Sequence, residues 1–386
     1  MERLRKKLIL MLIGLLLLTS CAPSFDNSEE DVVKKNQGET NQETAIIPSY
    51  SLSDENYRVL LPYKLGKARG VIVNQLFNRL DIDELEEGLK RHSKDAFDPD
   101  KYYFQEGQYL TEDIVYDWLS SSNPKEEGNQ GLNPPLSENA TKEEHQENPR
   151  YLSHILEQNY LLKTSEDRIV LGGVSVALAM KSVYQFQTEI GGPYYYEKIS
   201  KKEMLSKGQE IAQKIVERMR QMDGLSKVPI MVSLYREEAA DSLVPGNFVA
   251  KTVVSEGSSS IGDWEEINEK HVLFPSDEAS ENYKEDANNL TIFEEDVAKY
   301  FPNYTSVIGK GFYVNDELQR LTIEIPIQFN GKAEVIGFTQ YVYGLVVEGF
   351  QPHYDLEINI TSGDNRQESL ITREAGEEEP QVHIYH

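Results

Sequence analysis

Apolar and polar positions follow the clearest pattern in the middle of the chain. Residues 174–186 alternate enough to predict a long strand, and residues 201–222 carry apolar side chains at the helical period. Ser200 begins a capping-box sequence, and Gly224 stands where a left-handed residue ends a helix. Residues 228–235 are a second apolar run. This order predicts a strand–helix–strand unit.

Shorter elements precede this unit. Residues 57–63 and 70–73 are apolar runs typical of strands. Apolar side chains share one face of residues 81–92, which predicts a helix. Residues 111–119 predict a second, shorter helix with Thr111 as its N-cap.

The C-terminal third combines both kinds of element. It contains a predicted strand at 248–254, a helix at 292–300, strands at 312–314 and 321–329 around Asn315 and Asp316, and a closing strand at 356–360. Asn330 and Gly331 give another hairpin signal. Residues 335–350 fit either a helix or a pair of strands, and the pattern does not decide between them. The predicted fold class is therefore α+β, with mixed or antiparallel sheets and packed helices in two domains.

Three polar segments set the predicted boundaries. Residues 22–49 are acidic and nearly free of aromatic side chains, which predicts a disordered tether. Residues 120–150 contain four prolines and only two leucines, which predicts a disordered loop. The predicted organisation is a signal peptide at 1–20, a lipidated N-terminus and tether at 21–49, an α+β domain at 50–275 containing the loop at 120–150, a smaller α+β domain at 290–362, and a frayed acidic tail at 363–386.

The N-terminus has the features of an export signal. Residues 1–7 include four basic side chains, and residues 8–18 form an uninterrupted apolar run. A basic start followed by a run of this length is typical of a secretory signal peptide. The run is too short for a membrane-spanning helix, which requires about 20 apolar residues.

The signal ends in a sequence that fits the lipobox of bacterial lipoproteins, namely Leu18, Thr19, Ser20 and Cys21. A thiol is required there because a diacylglycerol group is transferred to sulfur by a prolipoprotein transferase. A lipoprotein signal peptidase then needs small residues before the cysteine. We therefore expect a chain cut before Cys21 and attached by its lipid to the extracytoplasmic face of the cell membrane. An ordinary signal peptide that happens to contain a cysteine is the alternative.

Composition limits the other partners. Cys21 is the only cysteine in 386 residues, so the mature protein has no thiol or disulfide beyond the lipid anchor. The chain has 39 Lys and Arg against 65 Asp and Glu, a formal net charge of −26. Such a surface repels phosphate backbones, which excludes sequence-independent nucleic-acid binding. The sequence indicates no soluble partner of the exported domain.

Catalytic and metal-binding signatures are absent from the sequence. It has no GxSxG, HExxH, P-loop or CxxC motif, so we expect no enzyme activity, cofactor or metal. Ser122 and Lys125 form an SxxK match inside the proline-rich segment, where a strained nucleophile is not expected. His383 and His386 have metal-ligand spacing, but they close a predicted frayed tail.

Two clusters suggest ligand sites without establishing one. Asp95, Asp98 and Asp100 resemble half of a calcium loop, although Asp-Pro-Asp is also ordinary turn chemistry. Residues 191–197 join glycines to Tyr194, Tyr195 and Tyr196, which could stack on sugar rings or a peptide. Edge packing around a sheet is the alternative for these tyrosines.

Three long segments carry a resemblance to a known family. YRVLLPYKLGKARG at 57–70, FDPDKYYFQEGQYLTEDIVYDWL at 97–119 and IVLGGVSVALAMKSVYQF at 169–186 resemble the CamS family of sex-pheromone precursor lipoproteins of Gram-positive bacteria. The resemblance implies that the released signal peptide is trimmed to a short hydrophobic peptide ending before the lipidated cysteine. In this chain the implied peptide begins at Gly14 or Ile13 and ends at Ser20. From Gly14 it consists of Gly14, Leu15, Leu16, Leu17, Leu18, Thr19 and Ser20. It implies no catalytic residue.

A second hypothesis comes from another functional class. A surface lipoprotein with two domains could capture a small solute or a cell-wall glycan between them, with Tyr194, Tyr195 and Tyr196 at the rim of the site. Solute receptors usually show repeated strand–helix–strand units. The sequence shows one such unit, which favours the precursor role.

Overall fold

Two large sheets with helices packed on them, together with a separate two-stranded hairpin, make up the fold, which confirms the predicted α+β class. The computed structural model describes residues 31–37, 41–48, 56–76, 78–123, 125–300 and 306–385. No helix within these ranges is long and apolar enough to cross a membrane.

The first unit is built on a nine-stranded sheet and a separate hairpin. Its strands are β1 (Asp31–Gln37), β2 (Asn41–Ile47), β3 (Arg58–Val59), β4 (Tyr102–Glu106), β5 (Leu152–Lys163), β6 (Arg168–Met180), β7 (Val183–Phe186), β8 (Tyr195–Lys198), β9 (Ile230–Arg236), β10 (Asn247–Val254) and β11 (Glu265–Glu266). Its helices are α1 (Arg69–Gln75), α2 (Arg79–Ser93), α3 (Glu112–Leu119), α4 (Lys142–Glu147) and α5 (Lys201–Met219). The sheet order is β11-β10-β9-β6-β5-β4-β3, with β1 joined to β2 and β6, while β7 and β8 pair with each other.

Helices cover both faces of this sheet. On one face, α5 buries Ile211 and Ile215 in a cluster that also contains Val176 of β6. On the other face, α2 buries Leu85 and Leu89 in a second cluster. Since both faces are covered, the central strands read as continuous apolar runs in the sequence.

The predicted strand–helix–strand unit is confirmed. Strands β6 and β9 are parallel neighbours, with α5 in the connection between them. Ser200 Oγ accepts a hydrogen bond from the Glu203 amide at 3.2 Å, as a capping box requires. Gly224 has a φ of 84°, the left-handed conformation expected after the helix. The predicted single strand at 174–186 is instead divided into β6 and β7.

The second unit has a six-stranded sheet in the order β12-β13-β14-β15-β16-β17. Its strands are β12 (Glu269–Phe274), β13 (Ile308–Val314), β14 (Glu317–Pro326), β15 (Asp355–Thr361), β16 (Gln367–Arg373) and β17 (Gln381–Ile384), and its helices are α6 (Asp277–Asn282), α7 (Lys284–Tyr300) and α8 (Lys332–Gly349). Asn315 and Asp316 both have positive φ, which confirms the predicted hairpin turn between β13 and β14. Helix α8 connects the parallel pair β14 and β15 and buries Phe338, Val342 and Val346 in the core.

The predicted strand at 70–73 and the predicted hairpin at 330–331 were wrong, and the structure decides the conformation of residues 335–350. Residues 70–73 lie in α1, where Val71 and Ile72 are buried, because a four-residue apolar run does not distinguish a strand from a buried helix. Asn330 and Gly331 lead into α8 rather than a hairpin, and the Asn330 amide donates to Glu334 Oε2 at 2.6 Å. The segment 335–350, left open by its pattern, is therefore helical.

The structure corrects the prediction of a disordered loop at 120–150. Asn133 is fully buried and bonded to backbone atoms on both sides of the segment. Leu132 and Ala140 are buried, and α4 lies within the segment with Thr141 as its N-cap. Few apolar residues suffice because the segment packs on an existing core instead of forming its own.

The predicted ends of the domains also shift. The tail predicted at 363–386 contains β16 and β17, with Ile371 buried in the second core. Strand β12 belongs to the second sheet, so the boundary between the units lies before Glu269 rather than at 275–290. Within the predicted tether at 21–49, the structure places β1 and β2, and Ile47 is buried. Residues 21–30 lie outside the described ranges.

Candidate functional site

A cavity of about 210 Å³ lies beside β5 in the first unit. Strand β4 is five residues long and ends at Glu106, which pairs with Gln158 of the twelve-residue β5. Residues 154–157 of β5 therefore extend past the end of β4. The cavity occupies this gap, where residues of α1, α2 and the Tyr63–Ala68 approach to α1 complete its walls.

Glu106 organises the entrance of the cavity. Its carboxylate accepts hydrogen bonds from the Tyr63 hydroxyl and the Gly66 amide, and it forms an ion pair with Arg69. Two of these donors come from the segment leading into α1, and Arg69 is the first residue of the helix. The carboxylate therefore fixes this segment against the end of β4.

Glu157 holds the opposite wall from inside the protein. Its carboxylate accepts hydrogen bonds from the backbone amides of Gln108, Tyr109 and Leu110, at 3.0, 3.0 and 2.6 Å. Burial raises the pKa of Glu157, and the three amides act in the opposite direction. The side chain thus anchors the chain that leaves β4.

Glu86 differs from the other carboxylates that line the cavity. Glu87 is paired with Lys90 at 2.6 Å, but no hydrogen bond or ion pair within the described ranges engages the Glu86 carboxylate. Burial raises the pKa of Glu86, partly offset by the positive charges of Arg69 and Lys90. Glu86 is therefore the carboxylate in the cavity that is available to a ligand.

His154 lines the same cavity and is 1% exposed. Its Nδ1 atom is buried and has no hydrogen-bond partner among the described residues. Burial lowers the pKa of His154 to about 3. The imidazole is therefore neutral at physiological pH.

This buried histidine predicts a pH dependence of stability. An unfolded histidine titrates near pH 6.5, so below that pH the unfolded chain binds a proton that the folded chain does not. Between pH 7.5 and 5.5, both above the isoelectric point near 4.7, His154 should lower the free energy of unfolding by about 1.4 kcal/mol. In His154→Gln this contribution should disappear, as measured by guanidinium unfolding at the two pH values.

Two comparisons make the pH experiment specific. Burial raises the pKa of Glu237 to about 7, so protonation of Glu237 stabilises the folded protein as the pH falls. This contribution is the same in wild type and His154→Gln, and it cancels from the difference between them. His353→Gln, at an exposed position, should follow the wild-type pH dependence. The same pH dependence in wild type and His154→Gln would contradict the assignment.

The predicted tyrosine cluster lies elsewhere in the first unit. Tyr194 and Tyr196 are exposed on the hairpin formed by β7 and β8, while Tyr195 packs towards the core under the Lys142 ammonium at 4.7 Å. None of the three lines the cavity beside β5. The predicted lipobox and peptide residues, from Gly14 to Cys21, lie outside the described residues.

The predicted acidic cluster has ordinary turn contacts. Asp98 accepts from the Asp100 amide at 3.0 Å and pairs with Lys101 at 2.8 Å, while Asp95 pairs with Lys251. In the part of the chain that the structure describes, no three His, Cys, Asp or Glu side chains are grouped as metal ligands. The aspartates therefore stabilise a turn and a contact with β10.

Sequence reasoning missed a charged network between the two units. Arg91 on α2 forms two hydrogen bonds with Glu269 on β12, at 3.2 and 3.0 Å, and contacts Glu84 at 2.7 Å. His92 Nε2 lies 3.1 Å from Glu269 Oε1, and this pair attracts when the ring is protonated. In sequence, Arg91 and His92 look like cations at the end of a helix, where the helix dipole favours them.

The surroundings of Glu269 favour the charged form of its carboxylate. Burial acts to raise the pKa of Glu269, but the contacts with His92 and Arg91 outweigh it and lower the pKa. Nearby, burial lowers the pKa of His271, whose backbone amide donates to Asn247 Oδ1 of β10 at 2.9 Å. The junction is thus occupied by ion pairs and hydrogen bonds that join α2 and β10 to β12.

The chain resembles two solved structures over most of its length. A crystal structure of a sex pheromone precursor from Lactobacillus salivarius subsp. salivarius has a TM-score of 0.80 and 30% identity, covering 87% of this chain and 98% of that one. The C-terminal domain of the sex pheromone staph-cAM373 precursor from Staphylococcus aureus has a TM-score of 0.70 and 31% identity, covering 81% and 98%. A comparison with curated proteins finds no match.

A family profile covers most of both structural units. The profile described as CamS sex pheromone cAM373 precursor matches residues 63–379. That range contains every residue lining the cavity beside β5, and also the Arg91–Glu269 pair at the junction. On this match and the two structural relatives, the chain belongs to the CamS sex pheromone precursor family.

Proposed function

We propose that this protein is an exported lipoprotein precursor whose maturation releases two products. The first is a folded domain attached through a diacylglycerol on Cys21 to the extracytoplasmic face of the cell membrane. The second is a hydrophobic peptide, Gly14–Ser20, trimmed from the signal sequence. The observation that carries the proposal is the lipobox at 18–21, with the only cysteine of the chain, in a member of the CamS family.

The length of chain between anchor and fold supports this arrangement. Strand β1 begins at Asp31, ten residues after Cys21. Ten residues span at most about 35 Å when fully extended. An anchored protein would therefore hold its first sheet close to the membrane surface, and the proposed role requires no catalytic residue in the folded domain.

Cys21→Ala should abolish both lipidation and peptide release. Without the thiol, the transferase has no acceptor atom, and the lipoprotein signal peptidase has no lipidated substrate. We expect wild-type cells to hold the protein in the membrane fraction and to release peptides ending at Ser20. The measurement is mass spectrometry of spent medium and of the detergent-extracted protein, with the variant producing neither signal.

Two controls separate the lipoprotein role from the pheromone role. Ser24→Ala, three residues after Cys21, should leave lipidation and peptide release unchanged. A lipidated wild-type protein without any peptide ending at Ser20 would support the anchor and overturn the precursor role. A wild-type protein without lipid on Cys21 would overturn both.

The alternative, a lipoprotein that captures a solute or wall glycan between its domains, has less support. The network of Arg91 and Glu269 occupies the junction between the units. Tyr194 and Tyr196 are exposed, but they lie on the β7–β8 hairpin. The cavity described above lies inside the first unit, beside β5.

A further inference from the structure

The cavity beside β5 has the size and walls of a site for a small apolar body. Its volume of about 210 Å³ is below the roughly 300–1,000 Å³ typical of sites for drug-sized ligands. Ile72, Phe104, Leu110 and Ile155 line it, and all four are buried. Burying a compact aliphatic group against these side chains is favourable because it removes apolar surface from water.

The charges around the cavity favour a cation over an anion. Three of the four carboxylates are engaged: Glu106 by Arg69 and two other donors, Glu157 by backbone amides, and Glu87 by Lys90. An anionic ligand would have to compete with these carboxylates for the same two cations. A cationic ligand meets Glu86, whose carboxylate no described residue engages.

His154 lies in the wall of the same cavity. Its Nδ1 is buried without a partner in the described ranges. A nitrogen of a neutral imidazole that carries no hydrogen accepts a hydrogen bond. A buried polar atom without a partner is unfavourable, but this nitrogen is closed to the cavity, so recognition of a cation depends on Glu86.

We propose that the cavity beside β5 binds a primary ammonium group attached to a compact aliphatic body, with the Glu86 carboxylate pairing with the ammonium. This binding role is independent of the precursor role. The same chemistry is presented by a free aliphatic amine and by the amino terminus of an apolar peptide, such as Gly14–Ser20.

The first test uses three probes with one carbon skeleton. Isopentylamine, isopentanol and isovalerate differ only in carrying a cationic, neutral or anionic head. We expect saturation-transfer NMR on the mature domain, residues 22–386, to show binding of isopentylamine, with the other two at least tenfold weaker. Isovalerate or isopentanol binding as tightly as the amine, or no binding of the amine, would overturn the proposal.

Two matched variants locate the binding. Glu86→Gln should weaken isopentylamine binding at least tenfold, because it removes the charge and keeps the shape. Glu87→Gln, at the adjacent carboxylate that pairs with Lys90, should change binding less than twofold. Equal affinity of the two variants would place the amine elsewhere and overturn the proposal.

A third variant and a peptide complete the experiment. Ala68→Leu, which adds volume at a lining position, should also weaken binding at least tenfold while thermal unfolding confirms that it folds. The peptide GLLLLTS should bind with a free but not with an acetylated amino terminus if the source is a peptide. If only isopentylamine binds, the proposal stands with a free amine as the source.

Discussion

Glu269→Ala should lower the free energy of unfolding by about 3 kcal/mol. The Glu269 side chain is 3% exposed and forms two hydrogen bonds with Arg91 across the junction of the units. Removing one partner of a buried ion pair leaves the other charge uncompensated, which typically costs about 3–5 kcal/mol. The Arg91 side chain is 32% exposed and keeps its contact with Glu84 at 2.7 Å, so we expect the lower end of that range.

Guanidinium unfolding followed by circular dichroism measures this loss. The matched control is Glu266→Ala, which removes a 77% exposed carboxylate that contacts Lys201 at 3.4 Å. An exposed pair of this kind contributes about 0–1 kcal/mol. Similar losses in the two variants would show that the Arg91–Glu269 contact does not hold the units together.

Asn133→Ala should destabilise the protein by a similar amount, about 3 kcal/mol. The buried Asn133 amide donates to the carbonyls of Leu119 and Leu152, at 2.8 and 2.9 Å, and accepts from the Leu152 amide at 2.9 Å. Alanine would remove the partner of the Leu152 amide and one partner of the Leu152 carbonyl, whereas the Leu119 carbonyl keeps its bond from Arg150 at 2.7 Å. Each unsatisfied buried group costs about 1–3 kcal/mol, and partial access of water should reduce the sum.

The control for this variant lies six residues away in the same segment. Asn139 is exposed, so Asn139→Ala should change the free energy of unfolding by less than about 0.5 kcal/mol. Limited proteolysis provides a second measurement, because loss of the Asn133 bonds should expose residues 120–150 to cleavage. Equal protease resistance of wild type and Asn133→Ala would contradict the role of Asn133.

Elements with complete local signals could be predicted from the sequence. The α5 cap at Ser200 and the α3 cap at Thr111 depend on side chains that bond to amides three residues away. The turn at Asn315 and Asp316 likewise depends on two residues that tolerate positive φ. Such contacts join neighbours in the chain, so the residue types at each position are sufficient to indicate them.

The ordered segment at 120–150 shows where composition misleads. Its polar character predicts disorder, but Asn133 bonds to residues 14 and 19 positions away. One buried amide in the right place therefore orders a segment that is polar on average. The strands of the predicted tail form for a related reason, since β16 pairs with β15 and β17 continues the sheet.

The candidate site depends still more on distant pairings. The cavity exists because β5 continues past the last residue of β4, and Glu157 finds its amide donors about 48 positions earlier in the chain. Nothing in the sequence around Glu86, Glu106 and Glu157 distinguishes them from the other glutamates of this acidic protein. Their different partners and exposures result from the register of β4 on β5 and from the position of α2.

The sequence by itself predicts an export signal with Cys21 as the lipidation residue, and it determined the α+β class and the capped helices, because each is encoded by neighbouring residues. Only the tertiary structure decided the cavity beside β5, the ordering of residues 120–150 and the junction of Arg91 with Glu269. These features join side chains separated by up to 178 positions. Local pattern does not encode such pairings, because they follow from strand register and from the packing of helices on both sheets.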